Sequence, residues 1–304
     1  MRLLDDLPAI VTIVEVGPRD GLQNEAAQVP TEIKVQFIQR LAAAGLPVIE
    51  ATSFVNPEWV PQLSDAEEVL RTLARDTDVS YPVLVPNEKG FERAVAAGAD
   101  DVAIFASATE TFSQKNLNRS RTEALEMFRP VCRRAAEEGI PVRAYISMVL
   151  GDPWEGFIPP KQVVDVGLEL FDMGAIEISL GDTIGVGTAG TVQDLIGEFI
   201  QAGADVSALA VHFHDTYGQG LANVLAALQM GVSIVDSSAG GIGGCPFAKS
   251  ATGNLATEDV CWMLEGLDIE TGVDIAAVAE ASRWMCAHLG IPVPGRVARA
   301  MEIA

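Results

Sequence analysis

Two of the chain's three histidines stand two positions apart, in the run Leu209-Ala-Val-His212-Phe-His214-Asp215. In an extended strand alternate side chains share a face, so both imidazoles point one way and Val211 and Phe213 the other. Two imidazoles on one face are natural ligands for a divalent ion, although two buried, hydrogen-bonded histidines would have the same spacing. Near the start of the chain a β-rich run ends in Val14-Glu-Val-Gly-Pro-Arg19-Asp20-Gly. An Arg-Asp pair after Gly-Pro can be a loop salt bridge and nothing more. On the same rim as the histidines, Asp20 becomes a third ligand and Arg19 a fixed cation for an anionic intermediate. Glu50, closing another short β-rich run, fits an acceptor behind the ligands, a proton relay or a structural ion pair.

A glycine-rich segment follows the last β-rich run, with five glycines between residues 240 and 254 and Cys245 among them. Such a loop can cradle phosphate, but neither GxxxxGK[ST] nor a GxGxxG in a first βα unit accompanies it. A cysteine on a glycine-hinged loop beside a metal site reads instead as a general acid or base delivered when a lid closes. Asn254 ends the segment with a neutral oxygen. Two imidazoles, a carboxylate and an amide oxygen make a hard-to-borderline donor set. It suits six-coordinate Mg²⁺ or Mn²⁺ better than structural zinc, with catalytic zinc and Fe(II) left open. The remaining cysteines, Cys132, Cys261 and Cys286, lie in apolar helical surroundings and read as core filler.

These residues need a scaffold that brings distant segments to one rim. One local pattern recurs: a helix end, a glycine, then a short apolar run, at Gly45, Gly98, Gly139, Gly174, Gly203 and Gly231. Glycine there is the left-handed helix stop, and the β-branched run after it reads as a buried parallel strand. The spacing predicts eight strands, at 9–16, 47–51, 79–85, 101–106, 141–146, 175–180, 208–214 and 232–236. Helical stretches at 31–44, 120–138, 161–173, 191–202 and 216–230 lie between them, the first with Thr31 as its N-cap. Eight alternating β and α segments predict an α/β fold, a closed (β/α)₈ TIM barrel, over an open doubly wound sheet. The whole chain, 1–304, then forms one domain, with the barrel over about 9–265 and a short helical C-terminal extension over about 266–304.

The 304 residues are 49% apolar and 20% charged, a globular composition that needs no disulfide staple. Forty-two acids against twenty bases leave a net charge of −22, which disfavours nucleic acid and anionic membrane surfaces as partners. The four cysteines lack CxxC pairing, no apolar run approaches the roughly 18 residues of a membrane span, and no secretory signal pattern opens the chain. A cytoplasmic protein is expected.

Residues Val14 to Glu25 resemble the signature of the 3-hydroxy-3-methylglutaryl-CoA lyase family, within the metal-dependent lyases named for an Asp-Arg-Glu motif. The likeness continues through residues 49–62, 178–188, 210–223 and 240–260, in order. It implies a TIM barrel, a required divalent cation (Mg²⁺ or Mn²⁺), a small-molecule acyl-CoA substrate and a homodimer or higher homo-oligomer. It places metal ligands on Asp20, His212, His214 and Asn254. Catalytic roles fall on Arg19, Glu50, His212 and Cys245, substrate contacts on Arg19 and Gln23, and a further site position on Asp182. The implied reaction is retro-Claisen cleavage of 3-hydroxy-3-methylglutaryl-CoA to acetyl-CoA and acetoacetate. The alternatives are another 3-hydroxyacyl-CoA such as citramalyl-CoA, an acyl-CoA-dependent condensing synthase, and a catalytically silent barrel. The chain departs from the family at Met148 and Asp152, where cysteines are expected, and lacks a terminal cysteine, so thiol regulation between subunits is not expected. Lys115, Arg119 and Arg121 are candidates for the CoA phosphates, or simply a solvated charged loop.

Overall fold

The short apolar runs that follow the recurring glycines become parallel strands. In the computed structural model, which describes residues 7–73, 78–244 and 253–301, these are β1 (Thr12–Glu15), β2 in two pieces (Val48–Ile49 and Thr52–Ser53), β3 (Val83–Leu84), β4 (Val102–Ser107), β5 (Val142–Ser147), β6 (Glu177–Asp182), β7 (Leu209–Phe213) and β8 (Ile234–Ser237). Each pairs in parallel with its sequence neighbours, and β8 pairs with β1. The first piece of β2 bonds to β1 and the second to β3, so the sheet has no free edge. The expected closed (β/α)₈ barrel is the observed fold. All six recurring glycines have positive φ, between 70° and 104°, where a Cβ would be strained.

Some boundaries differ for stated reasons. Strand β3 is shorter than 79–85 because Pro82 has no N–H to give to a ladder, and Ser80 makes only an isolated bridge to Val48. Thr31 is not the N-cap of the first helix (Thr31–Ala43); Pro30 holds that position and the Thr31 hydroxyl donates to Asp65 at 2.8 Å. The helix expected from 216 starts only at Gly220, whose N–H is taken by the Asp215 carboxylate at 2.9 Å.

Barrels of this type usually fill their interior with branched apolar side chains. Here the interior carries charge. Arg143 on β5 reaches Asp236 on β8, and a bond between strands that are not neighbours must cross the barrel. The apolar core lies between strands and helices instead, where Ile13, Ile49, Val83, Ile104, Ile146, Ile178, Val211 and Val235 are all buried. After β8 come α1 (Thr257–Glu265), then α2 (Ile275–Leu289) and α3 (Arg296–Ala300), the last two within the stretch expected as a helical C-terminal extension. Among the described residues no helix is long and apolar enough to cross a membrane.

Candidate active site

Strand β1 runs directly into a single π-type turn, Gly17–Gly21, where the N–H groups of Asp20 and Gly21 both reach the Val16 carbonyl, at 2.7 and 3.1 Å. Gly21 is required at its end, because a Cβ there would lie 2.8 Å from both Ile242 Cγ1 and Ser238 Oγ. The turn aims two successive side chains at different partners. Arg19 donates through Nε to Glu50 Oε2 at 2.6 Å and through Nη1 to Asp20 Oδ1 at 2.7 Å. Asp20 Oδ2 then lies 3.8 Å from His212 Nε2.

The histidines occupy the carboxyl end of β7, as the alternation requires, and both are buried. One donor atom from each of Asp20, His212 and His214 lies within 4.8 Å of the others, although 192 positions separate Asp20 from His212 along the chain. The buried Nδ1 of His214 has no hydrogen-bond partner. A buried polar atom without a partner is costly, and a nitrogen in a cluster of one carboxylate and two imidazoles is where a dication would restore the balance. These residues therefore fit a divalent ion. Asn254 closes the set: its Nδ2 donates to Asp20 Oδ2 at 2.8 Å and its backbone bridges His214. Half a turn of that amide presents its oxygen in the same place.

Electrostatics follow from burial and pairing. Burial alone would raise the Asp20 carboxyl, but Arg19, then His212 and the Asn254 hydrogen bond, hold it at about 2. Burial, with His212 next, lowers His214 to about 4, so its imidazole is neutral and ligand-competent near pH 7. Burial pushes Glu50 above the carboxylate range against the pull of Arg19. Its Oε2 also accepts from the Tyr145 hydroxyl at 3.1 Å, while its Oε1 is buried with no partner.

A cavity of about 510 Å³ opens at the carboxyl ends of the strands and is lined by Arg19, Asp20, Gln23, Tyr145, His212 and His214. Glu50 is fully buried beneath Arg19 rather than on the cavity wall. Asp182 lies near enough to His212 to feel its charge, but it is not on the cavity wall. Burial raises it to about 6, and its oxygens cap the loop after β6 by accepting from Gly187 and Val186 N–H at 2.8 and 3.1 Å. Cys245 lies outside the described residues. Of the suggested phosphate ligands, Lys115 sits over the Trp154 ring, 4.8 Å from its centroid, and Arg121 donates to the Ala108 carbonyl at 3.0 Å. The cations that do line the cavity beyond Arg19 are Lys89 and Arg93, which no sequence motif marked.

The sequence reading also missed a layer behind the histidines. Asp236 Oδ2 lies 3.2 Å from His212 Nδ1, accepts from Ser179 at 2.8 Å and, with its other oxygen, grips Arg143 at 2.5 Å. Two guanidinium groups lie over the Tyr145 ring, Arg143 at 4.7 Å and Arg19 at 5.2 Å from its centroid. Single polar residues at alternate strand positions were the only available signal, and they do not name their partners.

Residues 10–285 match the HMGL-like family. A Danio rerio protein named 3-hydroxy-3-methylglutaryl-CoA lyase, cytoplasmic, is 56% identical over 98% of this chain and 88% of its own length. A Bos taurus hydroxymethylglutaryl-CoA lyase, mitochondrial, is 55% identical over 96% of this chain and 90% of its own. Among solved structures, hydroxymethylglutaryl-CoA lyase from Pseudomonas aeruginosa superposes with a TM-score of 0.95 at 49% identity, covering 98% of this chain and 99% of that one. An HMG-CoA lyase from Acinetobacter baumannii, in complex with coenzyme A and 3-methylmalate, gives 0.92 at 35% identity over 96% and 95%.

Proposed function

Because the chain belongs to the HMGL-like family, we propose that it cleaves 3-hydroxy-3-methylglutaryl-CoA to acetoacetate and acetyl-CoA. The observation that carries this reading is the convergence of Asp20, His212 and His214 within 4.8 Å, beside an Arg19 already fixed by two carboxylates. Asp20, His212, His214 and Asn254 would hold Mg²⁺ or Mn²⁺, which when bound supplies Lewis acidity toward the tertiary hydroxyl. A water held by Asp20 takes the hydroxyl proton, since His212, with Nδ1 bonded to Asp236 and Nε2 given to the cation, has no nitrogen free to accept it. The C2–C3 bond then breaks, its electron pair passing to the thioester as an enolate while C3 becomes the ketone of acetoacetate. Arg19 opposes the enolate charge with Nη2, which neither carboxylate takes up, and Glu50 and Tyr145 keep the guanidinium in place. A proton delivered to C2, assigned to Cys245, completes acetyl-CoA. Gln23 contacts the acyl group from the cavity wall.

The coenzyme A in the Acinetobacter baumannii relative supports an acyl-CoA substrate here. The free, buried thiols of Cys132, Cys261 and Cys286 suit a reducing cytoplasm, and relatives carry both cytoplasmic and mitochondrial names. A homodimer or larger homo-oligomer is the state the family suggests, and sedimentation velocity measures it. The decisive assay incubates the protein with 3-hydroxy-3-methylglutaryl-CoA and with citramalyl-CoA, each with Mg²⁺ and Mn²⁺, and follows products by mass spectrometry. Acetyl-CoA and acetoacetate from the first substrate are expected. Turnover of citramalyl-CoA alone would move the assignment to that relative, and free thiol formed from acetyl-CoA plus a 2-oxo acid would move it to a condensing synthase.

A further inference from the structure

Asn254 is placed by main-chain bonds to both neighbouring strand ends: Leu255 N–H donates to Phe213 at 3.3 Å and Ser238 N–H to Leu255 at 2.9 Å. Those strand ends are themselves gripped by one short piece of the C-terminal extension. Gly295 N–H donates to the Gly240 carbonyl at 2.9 Å, at the start of the glycine-rich segment. The N–H groups of Arg296 and Val297 donate to the two oxygens of Asp259, at 3.0 and 2.7 Å, just beyond the end of that segment. The Arg296 guanidinium donates to Asp215 at 2.9 Å, one residue after His214. A cavity of about 290 Å³, lined by Asp215, Asn254, Leu255, Arg296 and Arg299, borders both this piece and the turn that carries Asn254. Residue 295 can only be glycine in this arrangement, since a Cβ would lie 2.2 Å from Glu258 Oε1. Glu258 itself accepts from Gly240 N–H and from Ser282 on α2, at 3.0 and 3.1 Å.

We infer that residues 295–297 form a strap that holds Asn254 against Asp20, with Asp259 and Arg296 as positioning residues for the cation site. The inference rests on the proposed role of Asn254 as a ligand. Outer partners that orient ligands carry about tenfold to a hundredfold of metal affinity when they touch the ligand directly. The strap acts one residue further out, so about threefold to tenfold is expected.

The test is calorimetric titration of Mn²⁺ into metal-stripped full-length protein at 25 °C, with thermal melting run in parallel. Asn254→Ala, Asp259→Ala and Arg296→Ala are compared with wild type. Supporting the strap, Asn254→Ala and Asp259→Ala both weaken Mn²⁺ binding at least threefold, and Arg296→Lys recovers part of any loss seen in Arg296→Ala. If Asp259→Ala does not fold, the isosteric Asp259→Asn and the surface truncation Arg296→Ala replace it; the Arg296 side chain is 62% exposed and its loss spares the core. Strap variants that melt lower yet bind Mn²⁺ within twofold of wild type overturn the inference, because a merely structural extension would give that result. If Asn254→Ala itself binds within twofold, the ligand assignment fails and the strap falls with it. If Asn254→Ala binds weakly and the strap variants do not, only the strap fails.

Discussion

His212 is held through Nδ1 by Asp236, 3.2 Å away, which leaves Nε2 facing Asp20. A carboxylate on one ring nitrogen selects the tautomer that carries its proton there and frees the other nitrogen as a ligand. Burial would raise the Asp236 carboxyl, but Arg143 and His212 together outweigh it and hold the group below the usual range, so it stays an acceptor. Asp236→Asn should therefore weaken Mn²⁺ binding by about tenfold or more, read by calorimetry. Unchanged affinity would show that the ring is oriented by packing alone.

Arg19→Met removes the cation while leaving Asp20, His212 and His214 in place. Turnover should fall by about a hundredfold to a thousandfold, the usual loss of one oxyanion-stabilising donor, with metal content per chain retained. Steady-state kinetics and plasma mass spectrometry on the same sample separate the two.

His214→Ala removes a ligand that no other described side chain replaces. Metal content after gel filtration should drop well below one per chain; a full complement would remove His214 from the set.

Glu15, at the end of β1, is fully buried and accepts from the N–H groups of Gly17 and Ala239 and from the Thr257 hydroxyl. Burial still raises it from 4.5 to about 7, against those bonds. The folded state then binds this proton more tightly than the unfolded chain does. Its contribution to stability is complete below about pH 4.5 and is lost as pH rises toward 7. Glu15→Gln should flatten the melting temperature over that window, so a wild-type slope kept by the variant would assign it to another group.

Gly167 lies where two helices of the outer ring touch: a Cβ there would sit 2.5 Å from Phe199 Cε1 and 2.7 Å from Cζ. Gly167→Ala should cost about 1–3 kcal/mol by overpacking, read by calorimetric melting, with kcat at 25 °C little changed.

What was legible follows from locality. The His212–His214 spacing, the helix-stopping glycines and the eight β-rich runs are properties of a few consecutive residues, and the folded chain keeps them. Even the Arg19–Asp20 pair could be read as a candidate, since its two side chains are adjacent. Its true surroundings could not. Arg143 and Tyr145 share β5, Asp236 lies on β8, and Lys89 and Arg93 stand in a helix of the third βα unit, so nothing local names their partners or distinguishes them from ordinary polar positions. Asp182 sits in a matching block, and the two loop N–H groups that claim its oxygens could not be read from that block.

By itself, then, the order of residues determined the periodicity, the chain reversals and therefore the closed barrel, because these depend on backbone preferences and on which face of a segment is apolar. The tertiary structure alone decided which carboxylate faces which nitrogen. Closure brings the end of β1 beside those of β7 and β8, and in the buried space so formed each charge must find a partner whatever its distance along the chain.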